Sequence, residues 1–287
     1  MAPASDVYTH GHGDEVLRSH RWRTAQNSAS YLLPHLRPGD RLLDVGCGPG
    51  TLTVDLARAV SPGEVVGIDI AATVVAEAAG GAASAGVTNV SFRVGDFRQA
   101  GLEPGSFDVV HAHQVLQHLS DPVGALATMA DLTRPGGIVA VRDADYGGFI
   151  YEPADGTLDR WREVYSSVAR RNGGEPDAGR CLLRWAQAAG LPNLTYSSST
   201  WTFATPEDRT WWSELWAERC LSPWFAHQAA DYGIADQTEL AALADGWRKW
   251  GCHPGAIFIV PHGELLARPV NTGEESLTGS WPSELKD

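Results

Sequence analysis

An α/β fold built on a mostly parallel sheet is what this 287-residue chain predicts, and three observations predict it. Short apolar runs alternate with segments of helical spacing through the first half of the chain. Three of those runs carry an aspartate at or near the end: Asp44, Asp69 and Asp96. The first run, 41–45, stops in Gly46-Cys47-Gly48-Pro49-Gly50 and passes straight into a helical stretch from Thr51. Such a turn has few Cβ atoms in the way, so a ligand can lie against bare backbone at the carboxyl end of a strand.

Composition narrows the class. Hydrophobic residues make up 43% and charged residues 20%, as in globular proteins, and the length allows one large domain with insertions or two modest ones. No apolar run reaches the length of a membrane span, and the start has neither a basic nor an apolar leader region, so a cytoplasmic protein is expected. The net charge of −13, with Lys249 and Lys286 the only lysines, leaves no cationic groove to track phosphates, so no nucleic-acid partner is expected. Cys47, Cys181, Cys220 and Cys252 are far apart and lack metal spacing; free thiols and no metal are the expectation. Seven of the eleven tryptophans crowd residues 201–250.

Taken in order, turn residues through Gly13 precede a helix over 14–23, and a second helix is expected over 24–36 before Pro38-Gly39-Asp40 ends it. Strand one and its glycine turn follow. Strand two, 64–70, ends at Asp69, whose two oxygens suit the paired hydroxyls of a ribose, and Ile70 offers a face to an adenine. A helix over 71–85 leads to strand three, 90–97, which closes on Gly95-Asp96-Phe97. Strand four covers 106–113, a helix opens behind it, and Arg134-Pro135-Gly136-Gly137 precedes strand five at 138–143. Helices are expected over 158–171 and 178–189, and strands over 194–203 and 256–266, the last two as an antiparallel hairpin that brings the sheet to seven strands. The stretch 205–254 is too long for a hairpin loop and is expected as a helical insertion before the last strand.

As a set, D-V-G-C-G-P-G at 44–50, Asp69, G-D-F at 95–97, F-D-V-V at 107–110 with V-L-Q-H-L at 115–119, and R-P-G-G at 134–137 resemble the motifs of the class I S-adenosylmethionine (SAM) methyltransferases. The opening Tyr8-Thr9-His10-Gly11-His12 and the stretch 19–29 are similar to a ubiquinone/menaquinone-biosynthesis-like subgroup. The resemblance implies a Rossmann-like core and SAM as cofactor, with S-adenosylhomocysteine (SAH) as product. It places Asp44, Gly46, Cys47, Gly48, Gly50, Asp69, Ile70, Gly95, Asp96, Phe97, Ala112 and His113 around the cofactor. Tyr8, with His10 and His12, would roof it, because the segment before the first strand folds over the cofactor in many such enzymes. The implied division is an N-terminal helical segment and cofactor lid (1–39), a SAM-binding core (40–204), a Trp-rich acceptor lid (205–254), the last core strand (255–268) and a flexible tail (269–287).

SAM carries its methyl on a sulfonium, so the protein's main task is to position donor and acceptor in line and away from water. A base is needed only where the acceptor must lose a proton, and histidine suits that task near neutrality. His113 at the exit of strand four is the first candidate, His118 the second, and Asp143 and Tyr146 are placed to orient or deprotonate an acceptor hydroxyl. His262 is a weaker candidate, and His111 is read as a packing residue within its strand. The expected partner is a small acceptor with an apolar or aromatic body, methylated at O, N or C, with a homodimer compatible with the chain. Two other readings stay open: an NAD(P)-linked oxidoreductase, disfavoured by Thr51 in place of a third fingerprint glycine and by Asp96, and a SAM-binding protein that transfers no methyl group.

Overall fold

The computed structural model describes Thr9 and residues 13–269. Tyr8, His10, His12 and the tail beyond Pro269 lie outside the described residues. Eight strands form one sheet: β1 (Leu42–Val45), β2 (Val65–Asp69), β3 (Val90–Val94), β4 (Phe107–His113), β5 (Thr133–Ala144), β6 (Ile150–Glu152), β7 (Thr195–Phe203) and β8 (Ile257–Ala267). Their order is β3-β2-β1-β4-β5-β8-β6, with β7 paired to β8. The pairs β1–β2, β1–β4, β2–β3 and β4–β5 are parallel, whereas β8 runs antiparallel to β5, β6 and β7. This is a mostly parallel Rossmann-like sheet with antiparallel strands at its C-terminal end.

Around the sheet lie α1 (Asp14–Arg21), α2 (Ala25–Ser28), α3 (Thr51–Val60), α4 (Ala72–Ser84), α5 (Pro122–Leu132), α6 (Gly156–Arg171), α7 (Ala178–Ala188), α8 (Pro206–Leu221), α9 (Pro223–Asp231) and α10 (Gln237–Gly251). Successive strand side chains point to opposite faces. Accordingly Leu42 packs with Leu56 and Val60 of α3, while Leu43 packs with Met129 of α5 and Leu182 of α7. A third core is rich in aromatic side chains. Trp161 of α6, Trp212 of α8, and Trp247 and Trp250 of α10 close on Phe258 of β8, with Trp216 of α8 packed on Trp161, Trp212 and Trp247.

The sheet has one strand more than the seven expected, because β6 is three residues long and too short to show an alternating pattern. The expected second helix is broken: α2 stops at Ser28, and a 3-10 turn at Leu33–His35 follows. Pro34 lacks the N–H that a continuous helix would require there. Likewise, β5 begins at Thr133 instead of at Ile138; the R-P-G-G turn is taken up as a bulge, with Phe107 facing Thr133 and Val109 facing Ile138. The region behind β4 is a 3-10 turn, Leu116–His118. None of the helices among the described residues is long and apolar enough to cross a membrane.

Candidate active site

The strand order reverses between β1 and β4, and in open α/β sheets the crevice beyond the carboxyl ends of such a pair receives the ligand. The glycine turn leaves β1 at that place. Gly46 takes φ +66°, and a Cβ on it would stand 2.5 Å from Val115 Cγ2, so no other residue fits. Asp69 at the end of β2 braces the turn: its Oδ2 accepts from Gly48 N at 3.1 Å and its Oδ1 from Ala71 N at 3.0 Å. Asp44 is buried beneath. It accepts from Thr53 Oγ1 at 2.6 Å and from His111 Nδ1 at 2.8 Å, so its carboxylate ties α3 and β4 to the turn.

These elements enclose a cavity of about 700 Å³. Asp44, Gly46, Cys47, Gly48, Asp69, Ile70, Gly95, Asp96, Phe97, His113 and His118 all line it. Gly50 and Ala112, expected there, do not. Gly50 starts α3 with its bare Cα against α4, where a Cβ would meet Ala78 Cβ at 2.7 Å. Ala112 is fully buried within β4. Cys47 is no nucleophile, since burial and the charges of Asp44 and Asp69 push its thiol far up. Asp96 is held by Arg98, whose terminal nitrogen donates to Oδ2 at 2.8 Å.

A nucleoside sulfonium fits these walls on three counts. Ile70, an apolar side chain 59% exposed, presents a face for a base. Asp69 stands beside it with two acceptor oxygens, and a Cβ built on Gly95 meets nothing within 4 Å, so the backbone there is open to a ligand. His113 is only 4% exposed, yet neither ring nitrogen has a protein partner. Burial and the charges of Arg23 and Arg142 hold its pKa well below 6.5, which keeps it neutral at pH 7 with an open lone pair but makes it a weak base.

The other expected acid–base residues separate. His118 lines the cavity, but burial with Arg23 and Arg219 nearby depresses its pKa to about 3, and its Nε2 lies 3.0 Å from Gln117 Nε2. Asp143 is not in the wall: its Oδ1 turns back to accept from Gln117 N at 3.1 Å, and burial raises its pKa to about 7. Tyr146 is absent from the cavity as well. It lines a second, smaller chamber, where burial raises its phenol above 10 and suits it to donate a hydrogen bond. His111 is a strand residue bound to Asp44, as read. His262 is sealed behind the wall: Nδ1 donates to Val260 O at 3.0 Å and Nε2 accepts from Gln114 Nε2 at 2.9 Å.

The second chamber adjoins the first. At about 30 Å³ it is narrow, and its walls are largely aromatic: Trp22, Trp201, Trp211, Trp212, Trp216 and Phe149 beside Tyr146. His20, Arg23, Gln114 and His118 line both spaces. Gln114 was not foreseen. It follows β4 with φ +53°, a backbone conformation rare outside glycine, and its Oε1 accepts from Arg23 at 2.6 Å. Nothing in a lone glutamine after a strand signals that geometry; the nearest signal was the basic stretch from Ser19 to Arg23.

Comparison with known proteins agrees with this geometry. Residues 36–183 match the methyltransferase domain family. An uncharacterised methyltransferase of Schizosaccharomyces pombe is 34% identical over 269 residues, covering 90% of this chain and 95% of its own. Aklanonic acid methyltransferase DauC of Streptomyces sp. strain C5 is 33% identical over 175 residues, covering 56% of this chain and 79% of its own. The solved YcgJ protein of Bacillus subtilis shares the fold with a TM-score of 0.52 at 19% identity, covering 83% of this chain and 97% of that one. The chain belongs to the methyltransferase domain family of class I SAM-dependent methyltransferases.

Proposed function

We propose that this chain binds SAM in the larger cavity and transfers its methyl group to a small acceptor with an aromatic body seated in the adjoining chamber. The observation that carries the reading is adjacency. A cavity of about 700 Å³ with nucleoside-type walls shares four residues with a chamber lined by indoles. The name of the aklanonic acid relative points the same way, toward a small-molecule acceptor.

In this reading Asp69 would hold the ribose, Ile70 and Phe97 would flank the base, Asp96 would meet its amino group, and the backbone from Gly46 to Gly48 would receive the methionine end. SAM supplies an electrophilic methyl on a sulfonium. An acceptor lone pair would take that methyl, with the carbon–sulfur bonding pair going to sulfur. An acceptor that starts protonated passes its proton to a His113 ring nitrogen. Walls of tryptophan exclude the water that would compete as nucleophile. The helices of 205–254 would then act as the acceptor-side cover, and residues 13–39, which line both spaces, as a shared cover.

Calorimetric titration with SAH, paired with transfer of labelled methyl from SAM to a panel of hydroxyaromatic and aminoaromatic acceptors, tests the proposal. Micromolar binding of SAH and label on at least one acceptor is the expected result. Binding without transfer to any acceptor would favour a SAM-binding protein with no methyl-transfer role, and no binding would remove the cofactor assignment.

A further inference from the structure

Gln114 stands where the two spaces meet: it is half-buried and lines the cavity and the chamber alike. Its φ of +53° costs a side chain of this kind free energy, and such outliers persist only where the surroundings over-determine them. The backbone is tied to β5, with Gln114 N donating to Arg142 O at 2.7 Å. The amide is held at both ends. Arg23 can only donate, so the end 2.6 Å from its terminal nitrogen is the oxygen. His262 gives its Nδ1 proton to Val260 O at 3.0 Å, so its Nε2 carries a lone pair, and the amide end 2.9 Å away is the nitrogen. Burial and the charge of Arg142 hold His262 well below 6.5, so that lone pair persists at pH 7.

An amide nitrogen carries two protons, and His262 takes one. The second has no acceptor among the described residues. With the oxygen and the first proton both engaged, the plane of the group is set, and the second proton is aimed before any ligand arrives. A donor fixed in this way sorts nucleophiles by their lone pairs. A hydroxyl oxygen or its anion has one to give to the methyl and another that stays on the donor. The nitrogen of an aromatic amine has a single lone pair, and its own protons meet the donor head-on. A ring carbon has none to spare. The weak basicity of His113 favours the same class, since an acidic phenol or enol has already lost its proton to solvent.

We infer, resting on the methyl-transfer reading, that Gln114 selects the nucleophile and that the acceptor is methylated on oxygen. The acceptor is a phenol or enol whose oxygen takes the second Nε2 proton of Gln114 while its ring lies among the indoles. The bond from Arg23 then has a role beyond packing. It keeps the amide from turning over, which would present the carbonyl oxygen where the donor is needed and repel the nucleophile. His262 holds the other end of the same group and touches no ligand itself, so it is a positioning residue.

The test is calorimetry on the full chain loaded with SAH, titrated with p-cresol and with its amine counterpart p-toluidine. Wild type is expected to favour the cresol by about fivefold or more. Gln114→Glu keeps an oxygen for Arg23 and replaces the donor by an acceptor, so it should lose that preference or reverse it. Gln114→Asn keeps an amide on a residue that accepts left-handed backbone readily, but the shorter side chain cannot span Arg23 and His262; it should fold and show no preference. SAH affinity should stay within about threefold in both variants. Equal affinity for cresol and toluidine in wild type, no binding of either, or a preference that survives in the variants overturns the inference. A larger loss of SAH affinity also overturns it, by assigning the second proton to the cofactor. Should the glutamate variant fail to fold, wild type and Gln114→Asn decide. Failure of SAH to bind wild type overturns the methyl-transfer reading instead.

Discussion

Asp44 and His111 face each other across the parallel pair of β1 and β4, with His111 Nδ1 donating to Asp44 Oδ1 at 2.8 Å and both side chains buried. The carboxylate that begins the glycine motif is therefore partnered from beneath and serves to hold the turn. Its other oxygen accepts from Thr53 Oγ1, so a single aspartate fixes the spacing of β1, β4 and α3 under the larger cavity.

His111→Ala deletes that donor and leaves a buried carboxylate oxygen without it. A loss of about 2–4 kcal/mol in unfolding free energy is expected, from the unmet acceptor and the cavity together. Urea denaturation measures it, and a loss below about 0.5 kcal/mol would show that Asp44 does not depend on the histidine.

For Asp69→Ala the expected outcome is SAH binding weakened at least about tenfold, or 1–2 kcal/mol, by unpaired ribose hydroxyls. The variant also drops the acceptors of Gly48 N and Ala71 N, so Asp69→Asn, which keeps one oxygen, should lose less. Unchanged calorimetric affinity in the alanine variant would take Asp69 out of the site.

His113→Ala should cut kcat by about 100-fold with SAM affinity within about threefold, as for loss of a general base. The pH profile carries a sharper statement. Burial and the charges of Arg23 and Arg142 hold this histidine well below 6.5, so its neutral form persists on acidification and kcat should show no acid limb near pH 6.5. A limb at that pH that disappears in the alanine variant would contradict the depressed value.

Asp143 titrates in the opposite sense to most carboxylates. Its folded-state pKa, raised to about 7 by burial, exceeds the unfolded value, so the folded protein binds the proton more tightly. The stabilisation is fully present below about pH 4 and is lost as pH rises through about 7. Asp143→Asn keeps an oxygen for Gln117 N and removes this dependence. Relative to wild type it should gain on the order of 2–4 kcal/mol between pH 5 and pH 8. Parallel stability curves for the two proteins over that range would show that Asp143 does not carry a raised pKa.

What could be read ahead of the structure was whatever depends on neighbours in sequence. The glycine turn, Asp69 at the end of β2 and Asp96 after β3 are set by strand ends that the apolar runs mark out, and all three stand around the cavity. Asp143 and Tyr146 show the limit. Both sit at the correct end of β5, but which way a side chain turns there depends on the packing of Gln117 and Tyr165, which no local pattern encodes. Gln114 was invisible because its left-handed backbone falls on a residue with no turn signature. Arg219 was hidden for another reason: it lies 200 positions from Ser19, and only the packing of α1 on α8 brings the two together.

Helix α1 is eight residues long, and it is clamped from both directions. Arg21 grips Glu77 on α4, while Arg18 and Ser19 grip Glu218 and Arg219 on α8, beside the indoles. One short rod thus acts as a common latch for two compartments. Displacing it would therefore open the larger cavity and the indole-lined chamber together, so the two spaces share one wall rather than two independent ones.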